Sequence, residues 1–548
     1  MYGKGAGAMK KLTSLALLLV CCCLWPGSRT AADSGTIGTG LTEEVPAPPP
    51  VVRVRKVGAE MSAPLTYPSV HKASDGRLIM IGGGRMCVST DGGKSWSKPQ
   101  GLAAPVKFAI RLRCGKLGGP GADGHFYVSA DEGQSWQKRG LMRAGNVPAS
   151  PYEGGAVLIQ TRTGRLVMPV RFTGGAGHMG QYDFAGCWGT LNGKLRHIEG
   201  HAHWPEPDNT YVLYSDDEGR SWQRSEGGIM IWHQEGYGGM WPVDEPTVVE
   251  ATNGDILLFV RNTLGRLYIV RSRPVSYINR QGKRVAFPAG HRFDHPQPTG
   301  LAMSYSPCVV RRIAKTGHLL LVWNQVSGAE IRAGYRRGRL SAAISKDDGA
   351  TWQHFRTVDR LVVPPRGRVA PDPEPRMARG LDYVGILPAD FGHVSYPTVE
   401  VVDETVFLFW SRTVVQPRSG DVTGRRLWVL PLSWFYTEEP PLPPGPKLIL
   451  RVPAGDGKSW NSFEIPADWY EGRHYCNSRD LETYLKSPVG RLGFDMYAPL
   501  HQIITCLGWT PHYDRTHLKD KESPRLVVYC THPHATPPPV PVLPAPTR

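Results

Sequence analysis

The sequence predicts an all-β protein: a six-bladed β-propeller, followed by a small C-terminal region of uncertain, α+β, fold. Two internal repeats and the composition predict it. A turn pattern of eight residues occurs four times, and a strand–turn–strand unit recurs along the same part of the chain. Glycine (63) and proline (49) together make up 112 of the 548 residues, which suits short strands and turns better than helices.

The turn pattern is Ser-x-Asp-x-Gly-x-Ser/Thr-Trp. Its Asp and hydroxyl side chains bond the backbone of a tight hairpin, its Gly supplies a positive φ, and its Trp packs between sheet layers. Successive copies start 40, 86 and 130 residues apart. These distances are close to one, two and three periods of about 43 residues, so degenerate units are expected between them. The copies are Ser89–Trp96, Ser129–Trp136, Ser215–Trp222 and Ser345–Trp352.

The second repeat is a strand, usually with proline as its second residue, followed by a turn and another strand. Five copies begin at Tyr67, Tyr152, Glu245, Ser306 and Tyr396, and a weaker sixth begins at Phe108. Six units of four strands each close into a ring in which radial repetition leaves only short, protected edges. The loops that lead into the inner strands are expected to form the binding face.

Shifts in composition divide the chain into six predicted parts. Residues 1–32 have the form of a secretory signal, because lysines precede an apolar run and small residues follow it. The remaining parts are a Pro-rich leader (33–55), the propeller (56–437), a Pro-rich linker (438–446), an accessory region (447–534) and a Pro-rich tail expected to be disordered (535–548).

The signal predicts a secreted or periplasmic protein. The apolar run from Leu12 to Trp25 is short for a membrane span, and no longer run follows it. The cysteines at 21–23 raise a lipoprotein as the less favoured alternative, since Val20 stands where a small residue is expected.

The chain is basic, with a formal net charge of +16, and removal of the four cations in residues 1–32 leaves +12. Such a charge favours anionic partners such as acidic glycans, or reflects a solvated basic surface. No nucleic-acid-binding motif accompanies it. Seven cysteines follow the signal, an odd number, with Cys87–Cys114 or a pair among Cys476, Cys506 and Cys530 as possible disulfides. The sequence does not indicate an oligomeric state.

The turn pattern is the Asp box, and residues 56–436 resemble the sialidase (neuraminidase) superfamily of BNR-repeat propellers as a divergent member. The resemblance implies a retaining exo-sialidase-type glycoside hydrolase that acts on terminal acidic sugars of glycans. The alternatives are a propeller that binds glycans without cleaving them and a hydrolase of another acidic glycoside. No cofactor or metal is expected.

Members of that superfamily hold the substrate carboxylate with three arginines, use a Tyr nucleophile beside a Glu, and use an Asp as general acid. Guanidinium forks match a carboxylate better than ammonium groups do. An anionic nucleophile would be repelled by the substrate carboxylate, whereas a phenol deprotonated by a nearby Glu is not.

The resemblance assigns the Glu and the second arginine to Glu245 and Arg261, which are 16 residues apart and expected to face one central site. A Glu–Arg salt bridge that only holds the blade is the alternative. The third arginine is assigned to Arg337, with Arg336 and Arg339 as competitors and a solvated hairpin as the alternative.

Tyr396 is assigned as the nucleophile, with aromatic packing at the rim of the channel as the alternative. The first arginine is absent from its expected place, where the chain has Thr66-Tyr67-Pro68 instead of Arg-Ile-Pro. Arg85 is the substitute we assign to substrate binding, with Arg111 or Arg113 as alternatives.

No acid stands in the loop of the first blade where the general acid is expected. Glu153, Asp244 or Asp123 are the alternatives for protonating the leaving oxygen, given a suitable pKa. Two further patterns invite other hypotheses, although polar and packing roles in loops are preferred for both. They are a metal site at His197, His201 and His203 or at Cys530, His532 and His534, and sugar stacking on Trp204, Trp232 and Trp241.

Overall fold

The computed structural model describes the greater part of the chain between residues 57 and 532. The described residues are 57–144, 147–148, 158–173, 187–198, 208–233, 239–241, 243–262, 264–361, 363–372, 383–388, 391–415, 423–486 and 495–532. Within these ranges no helix is both long and apolar enough to cross a bilayer.

Six four-stranded antiparallel sheets form the blades of a propeller, and the first strands of blades 1 and 2, 3 and 4, 4 and 5, 5 and 6, and 6 and 1 contact each other. The predicted fold is confirmed, and the weak repeat at Phe108 leads into blade 2. From the inner strand outwards, blade 1 contains Ser69–Lys72, Leu78–Gly82, Arg85–Ser89 and Gln100–Gly101; blade 2 Ile110–Arg111, Leu117–Pro120, His125–Ser129 and Gln137–Leu141; blade 3 Ile159–Gln160, Leu166–Thr173, Asp208–Ser215 and Gln223–Arg224; blade 4 Asp244–Glu250, Ile256–Arg261, Arg266–Ser272 and Gln297–Ala302; blade 5 Val309–Arg312, Leu319–Trp323, Arg339–Ser345 and Gln353–Arg360; blade 6 Gly392–Val402, Thr405–Val414, Gly424–Pro431 and Ala59–Ser62.

The ring is closed by the N-terminal strand of the described chain. Ala59–Ser62 pairs antiparallel with the third strand of blade 6, from Ala59 opposite Val429 to Ser62 opposite Arg426. The indole N–H of Trp428 also donates to the carbonyl oxygen of Val57 (2.6 Å). The outer edge of the last blade is thereby paired by residues that directly precede blade 1, so blades 6 and 1 become neighbours.

Six apolar clusters fill the six spaces between adjacent blades. Between blades 6 and 1, for example, Phe407 and Leu427 pack with Val70 and Met80, all buried. The other five clusters join blades 1–2, 2–3, 3–4, 4–5 and 5–6 in the same way. Burial of one large apolar side chain stabilises by about 1.5–3 kcal/mol, so these interfaces dominate the stability of the ring.

The Asp boxes connect the third and fourth strands of blades 1, 2, 3 and 5. In the first box the Asp91 carboxylate accepts hydrogen bonds from the backbone N–H (3.0 Å) and the hydroxyl (2.6 Å) of Ser95. The Ser89 hydroxyl donates to Asp91 (2.8 Å) and accepts from the Gly93 N–H (2.9 Å). The hydrogen bonds from Ser95 hold the pKa of Asp91 well below its usual range.

The Gly and Trp of a box pack against an aromatic ring of the preceding blade. Trp96 lies edge-on to Phe407 of blade 6, with ring centroids 6.3 Å apart. Gly93 has φ +87°, and a Cβ added there would lie 2.4 Å from Cε1 of Phe407. The boxes of blades 3 and 5 repeat the contact with Phe126 and Phe259. The box glycine is therefore required for close approach of the blades as well as for the turn.

Outside the blades, four inserted segments form short hairpins or a small sheet. One of them, Cys187–Leu191 with Lys194–Ile198, is joined by the parallel strand Tyr383–Ile386. The other strand pairs are Arg143–Ala144 with Val147–Pro148, Ile231–His233 with Gly239–Trp241, and Val275–Ile278 with Arg284–Phe287. A helix at Gly328–Arg332 starts with a capping box of Ser327 and Glu330, and a 3-10 helix at Leu432–Tyr436 follows blade 6.

The C-terminal region is α+β and packs on the small inserted sheet. Its helices and strands share one apolar core with Leu191 and Val384 of that sheet. The seven described cysteines are free thiols, so neither the Cys87–Cys114 disulfide nor a pair among the last three is formed. The strands are Lys447–Pro453, Trp460–Ile465, Asp468–Tyr470, Arg473–Asn477, Tyr497–Pro499, Thr510–Asp514 and Arg525–Thr531; the helices are Ser478–Glu482, Leu500–Cys506 and the 3-10 helix Thr516–Lys519.

We expect Gly93→Ala to destabilise the protein more than Gly92→Ala does. Both glycines have positive φ, but nothing lies within 4 Å of a Cβ at Gly92, whereas one at Gly93 meets Phe407. Placing alanine in a backbone conformation with positive φ costs about 1 kcal/mol at either position. Overpacking against Phe407 adds about 1–3 kcal/mol at Gly93 only. Urea unfolding of the two variants measures the difference, and equal losses would contradict the close-approach argument.

Candidate active site

Glu245 and Arg261 face each other across blade 4, where the inner strand begins and the second strand ends. The Arg261 Nη1 donates to the Glu245 Oε2 at 2.5 Å, and the two side chains are 4% (Glu245) and 2% (Arg261) exposed. The structure therefore brings the predicted pair together at the face where inner strands begin. Burial of two such charges costs free energy that only a close pair recovers.

The backbone turns sharply at three residues in equivalent positions of their blades. Tyr67, Glu245 and Tyr396 each directly precede a proline and have φ of 47°, 39° and 56°. A residue before proline is normally held in the extended region, so a left-handed φ there is strained. At Glu245 and Tyr396 the pairing register also shifts, as in a β-bulge, which re-aims a side chain.

Arg337 lies in the turn that precedes the third strand of blade 5. Its Nη2 donates to the Tyr305 carbonyl oxygen at 3.1 Å, and its guanidinium carbon lies 5.3 Å from the centre of the Tyr396 ring. Of its competitors, Arg336 is buried, and Arg339 is fully buried and ion-paired with Glu330 of the capped helix. Arg337 is therefore the arginine that the turn places beside Tyr396.

Tyr396 has neighbours that the sequence did not assign to the site. The Tyr67 ring centroid lies 6.2 Å from that of Tyr396. The Arg425 guanidinium carbon lies 3.7 Å from the Tyr67 ring centre, and its Nη1 donates to the Tyr396 carbonyl oxygen at 3.3 Å. Arg425 has no motif around it, and only the closure of the ring between blades 6 and 1 indicates its place.

Tyr305 completes the arrangement, since the Arg261 guanidinium carbon lies 3.9 Å from its ring centre. Three guanidinium groups thus lie on or near three tyrosine rings, which is the geometry of cation–π attraction. We call the following seven residues the tyrosine–arginine cluster. They are Tyr67, Tyr305, Tyr396, Arg261, Arg337, Arg425 and Glu245.

The cluster is positively charged, because three guanidinium groups face one carboxylate among the described residues. Burial lowers the pKa of Arg337, and the nearby charge of Arg261 lowers it further, although a guanidinium stays protonated at neutral pH. Burial and then Arg337 lower the pKa of the neighbouring His393 to about 4, so that its ring is neutral. A set of cations of which Arg337 and Arg425 are only half-buried favours an anionic ligand.

Burial raises the pKa of Tyr67, whereas the charge of Arg425 lowers it. The negative charges of Tyr396, when ionised, and of Glu245 raise the pKa of Tyr67 in turn. The net direction is upward, so Tyr67 remains a neutral phenol at physiological pH. Tyr67 is therefore suited to packing and hydrogen bonding in the cluster.

Of the three arginines considered as substitutes, Arg85 lies on the face of blade 1 where the inner strand begins, whereas Arg111 and Arg113 lie at the opposite end of blade 2. Arg85 is exposed at the start of the third strand of blade 1, opposite Gly82 and Gly101. Arg111 is ion-paired with Glu132 at 2.7 Å, and Arg113 is exposed in a turn. The role of Arg85 in substrate binding stays a prediction.

Of the three acids considered for protonation, only the side chain of Asp123 is described. It accepts a hydrogen bond from Tyr127 (2.8 Å) and is ion-paired with Lys138 (3.0 Å). Partial burial raises the pKa of Asp123, but these hydrogen bonds outweigh it and lower the pKa to about 2. A group ionised at neutral pH is a poor general acid. Glu153 and the side chain of Asp244 lie outside the described residues.

The structure describes only some of the residues in the two other hypotheses, a metal site and sugar stacking. His197 packs against Trp188 with ring centroids 4.9 Å apart, and burial raises the pKa of the Cys530 thiol. In the described part of the chain, no three His, Cys, Asp or Glu residues are grouped so as to hold a metal ion. Outside the described residues lie His201, His203, His534, Trp204 and the side chains of Trp232 and Trp241.

The fold and the boxes define the class of protein, an Asp-box propeller with a cationic cluster at the start of its inner strands. Residues 115–408, more than half of the chain, match the BNR repeat-like domain family, and residues 88–98 match the BNR/Asp-box repeat. The chain belongs to the BNR repeat-like domain family. The predicted sialidase-like, BNR-repeat propeller is thereby confirmed at the level of the superfamily.

The chain also has matches among solved structures. A protein of unknown function from Dyadobacter fermentans DSM 18053 is 16% identical over 69% of this chain and 98% of its own, with a TM-score of 0.40. The intramolecular trans-sialidase from Ruminococcus gnavus is 11% identical (68% and 95% covered, TM-score 0.35). The α-L-arabinofuranosidase Arb93A from Fusarium graminearum is 10% identical (70% and 98%, TM-score 0.36). The search of curated proteins found no match.

We expect Glu245 and Arg261 to be strongly coupled in stability. Removing one partner of a buried ion pair costs about 3–5 kcal/mol, much of it from the charge left behind, so the double variant should cost less than the sum of the single ones. Urea unfolding of Glu245→Gln, Arg261→Met and their combination measures the coupling free energy. The control is the exposed pair of Lys72 and Asp403, whose coupling should stay below about 1 kcal/mol. Equal coupling in the two cycles would contradict the prediction.

Proposed function

We propose that the protein is a retaining, sialidase-type glycoside hydrolase that removes terminal acidic sugars from glycans. Tyr396 is the nucleophile, Glu245 is its base, and Arg261 and Arg337 bind the sugar carboxylate. The observation that carries the proposal is the tyrosine–arginine cluster, in which Arg261 is paired with Glu245 and Arg337 lies beside Tyr396, close enough to interact electrostatically with the other three residues. The predicted signal in residues 1–32 supports export, and with it access to extracellular glycans.

The charge of the cluster supports an acidic sugar as the ligand. Two guanidinium forks present paired N–H donors that match the oxygens of a carboxylate. Arg261 is already paired with Glu245, so a bound carboxylate would mainly offset the charge of Arg337 and its neighbours. Burial strengthens such a contact because solvent screening is reduced.

The reaction follows from these roles. The Tyr396 oxygen attacks the anomeric carbon while its proton passes to Glu245, and the glycosidic C–O bond breaks as the leaving oxygen takes up a proton from solvent water. A covalent glycosyl–tyrosine intermediate forms. Water then attacks the same carbon and releases one proton to solvent, the tyrosine oxygen leaves and regains its proton from Glu245, and two inversions give net retention. A neutral phenol avoids repulsion from the substrate carboxylate during the first attack.

A second function is glycan binding without cleavage. It is favoured because the described carboxyl groups are already engaged with cationic side chains. Among the described side chains, Glu245 is the carboxyl group of the cluster, and it is held by Arg261. Asp123 is ionised and engaged with Lys138. A lectin needs the arginines and the aromatic rings but no proton donor, whereas a hydrolase of this kind needs a carboxyl group within reach of the leaving oxygen.

We expect purified protein to release the fluorophore from a 4-methylumbelliferyl sialoside, and Tyr396→Phe and Glu245→Gln to lower kcat by at least about a hundredfold, since both remove proton transfer or the nucleophile. Tyr277→Phe, in an exposed hairpin outside the cluster, is the matched control and should keep full activity. If the folded wild type binds the sialoside without turnover, the glycan-binding function is supported instead.

We expect Arg337→Lys to lower kcat/KM for the sialoside by about tenfold or more, because an ammonium group keeps the charge but loses the fork. Arg113→Lys, in an exposed turn, controls for the loss of a guanidinium elsewhere. Initial-rate kinetics of both variants measure the effect. Unchanged kcat/KM in Arg337→Lys would remove Arg337 from the proposed carboxylate site.

A further inference from the structure

The proposed reaction needs a proton donor for the leaving oxygen, and the described carboxyl groups do not supply one. Glu245 is paired with Arg261, and Asp123 is ionised and engaged with Lys138. A departing sugar alkoxide is a strong base, so it leaves slowly when only solvent water protonates it. A carboxyl group is the usual donor, but a phenol that keeps its proton at neutral pH can take its place.

Tyr67 is the phenol that the closure of the ring places beside Tyr396. Both residues precede a proline with positive φ, at equivalent positions of blades 1 and 6, and both are half-buried. Their ring centroids are 6.2 Å apart. In retaining glycosidases the acid and the nucleophile are carboxyl groups about 5–5.5 Å apart, so the two tyrosines have a separation of the same order. They can therefore act on one glycosidic bond.

The surroundings of Tyr67 suit both states of a proton donor. Burial raises its pKa, so the hydroxyl keeps its proton at neutral pH, and a phenol is still a stronger acid than a sugar alcohol. The Arg425 guanidinium carbon lies 3.7 Å from the centre of the Tyr67 ring, and its charge favours the phenolate that proton transfer would leave. The Arg425 Nη1 also donates to the Tyr396 carbonyl oxygen at 3.3 Å, which fixes the cation beside both tyrosines.

We propose that Tyr67 is the catalytic acid and base of the reaction, in place of solvent water. In the first step its O–H bond breaks and the proton passes to the leaving oxygen as the glycosidic C–O bond breaks, which leaves a phenolate beside Arg425. In the second step this phenolate takes a proton from the attacking water and becomes a phenol again. The inference rests on the proposed function, because it assigns a further role within the same reaction.

The experiment compares two sialosides that differ in their leaving group. The 4-methylumbelliferyl sialoside releases a phenolate that is stable near neutral pH, whereas sialyllactose releases a sugar alkoxide that needs a proton. We expect Tyr67→Phe, which keeps the ring, to lower kcat/KM about a hundredfold or more for sialyllactose and less than about threefold for the umbelliferyl sialoside. A merely structural role would lower both values alike. Initial rates of fluorophore release and of free sialic acid release measure the two values.

Arg425→Gln is a second variant that keeps the Tyr67 hydroxyl and removes the charge that stabilises its phenolate. The same selective loss for sialyllactose, about tenfold, is expected, and this variant decides the question if Tyr67→Phe does not fold. Tyr277→Phe loses a phenol in an exposed hairpin and should leave both values unchanged. Thermal unfolding verifies that the variants are folded.

The outcomes separate this inference from the proposed function. If the wild type cleaves both substrates and the folded Tyr67→Phe loses equal factors with the two, or nothing with sialyllactose, the role of Tyr67 is overturned and the proposed function stands. If the wild type cleaves only the umbelliferyl sialoside, the site has no effective acid and the role of Tyr67 is again overturned. If the wild type cleaves neither substrate, both proposals are overturned.

Discussion

The pairing of Ala59–Ser62 with the third strand of blade 6 is the interaction on which the candidate site depends. Without it, blade 6 would end in an open edge, and only apolar packing and the contact of their inner strands would join blades 6 and 1. With it, the aromatic ring of Tyr67 meets that of Tyr396, although the two residues are far apart in sequence. Three residues of the tyrosine–arginine cluster therefore come from the first and the last blade of the propeller: Tyr67 from blade 1, and Tyr396 and Arg425 from blade 6.

Close packing between neighbouring blades depends on the glycines of the Asp boxes. Phe407 of blade 6 fills the volume above Gly93 of blade 1, and equivalent rings fill it above the glycines of the boxes in blades 3 and 5. Each of these glycines sets the distance between two blades, and that distance sets how near the inner strands come to the axis. The strained residues Tyr67 and Glu245 lie at the start of inner strands, and Tyr396 lies at a bulge within one, where an over-determined backbone tolerates a positive φ before proline.

The fold was predictable because its repeats are local. The hydrogen bonds of an Asp box lie within one turn, and the box at Ser89–Trp96 forms them as expected. The pair of Glu245 and Arg261 was predictable for a similar reason, since the strands of one hairpin place them opposite each other. Arg425 and Tyr305 could not be assigned, because their contacts cross blade boundaries. Such contacts depend on edge protection and packing volume, and neither leaves a pattern in a short window of sequence.

Blade 1 presents Tyr67 at the place where the sequence pattern led us to expect an arginine. The guanidinium of Arg425, which blade 6 supplies, lies on the ring of Tyr67. The described cluster therefore combines three guanidinium groups with the carboxylate of Glu245, and one of the three comes from the blade next to Tyr67. Under the proposed function, an anionic ligand would require this net positive charge of the site, whichever blade supplies each cation.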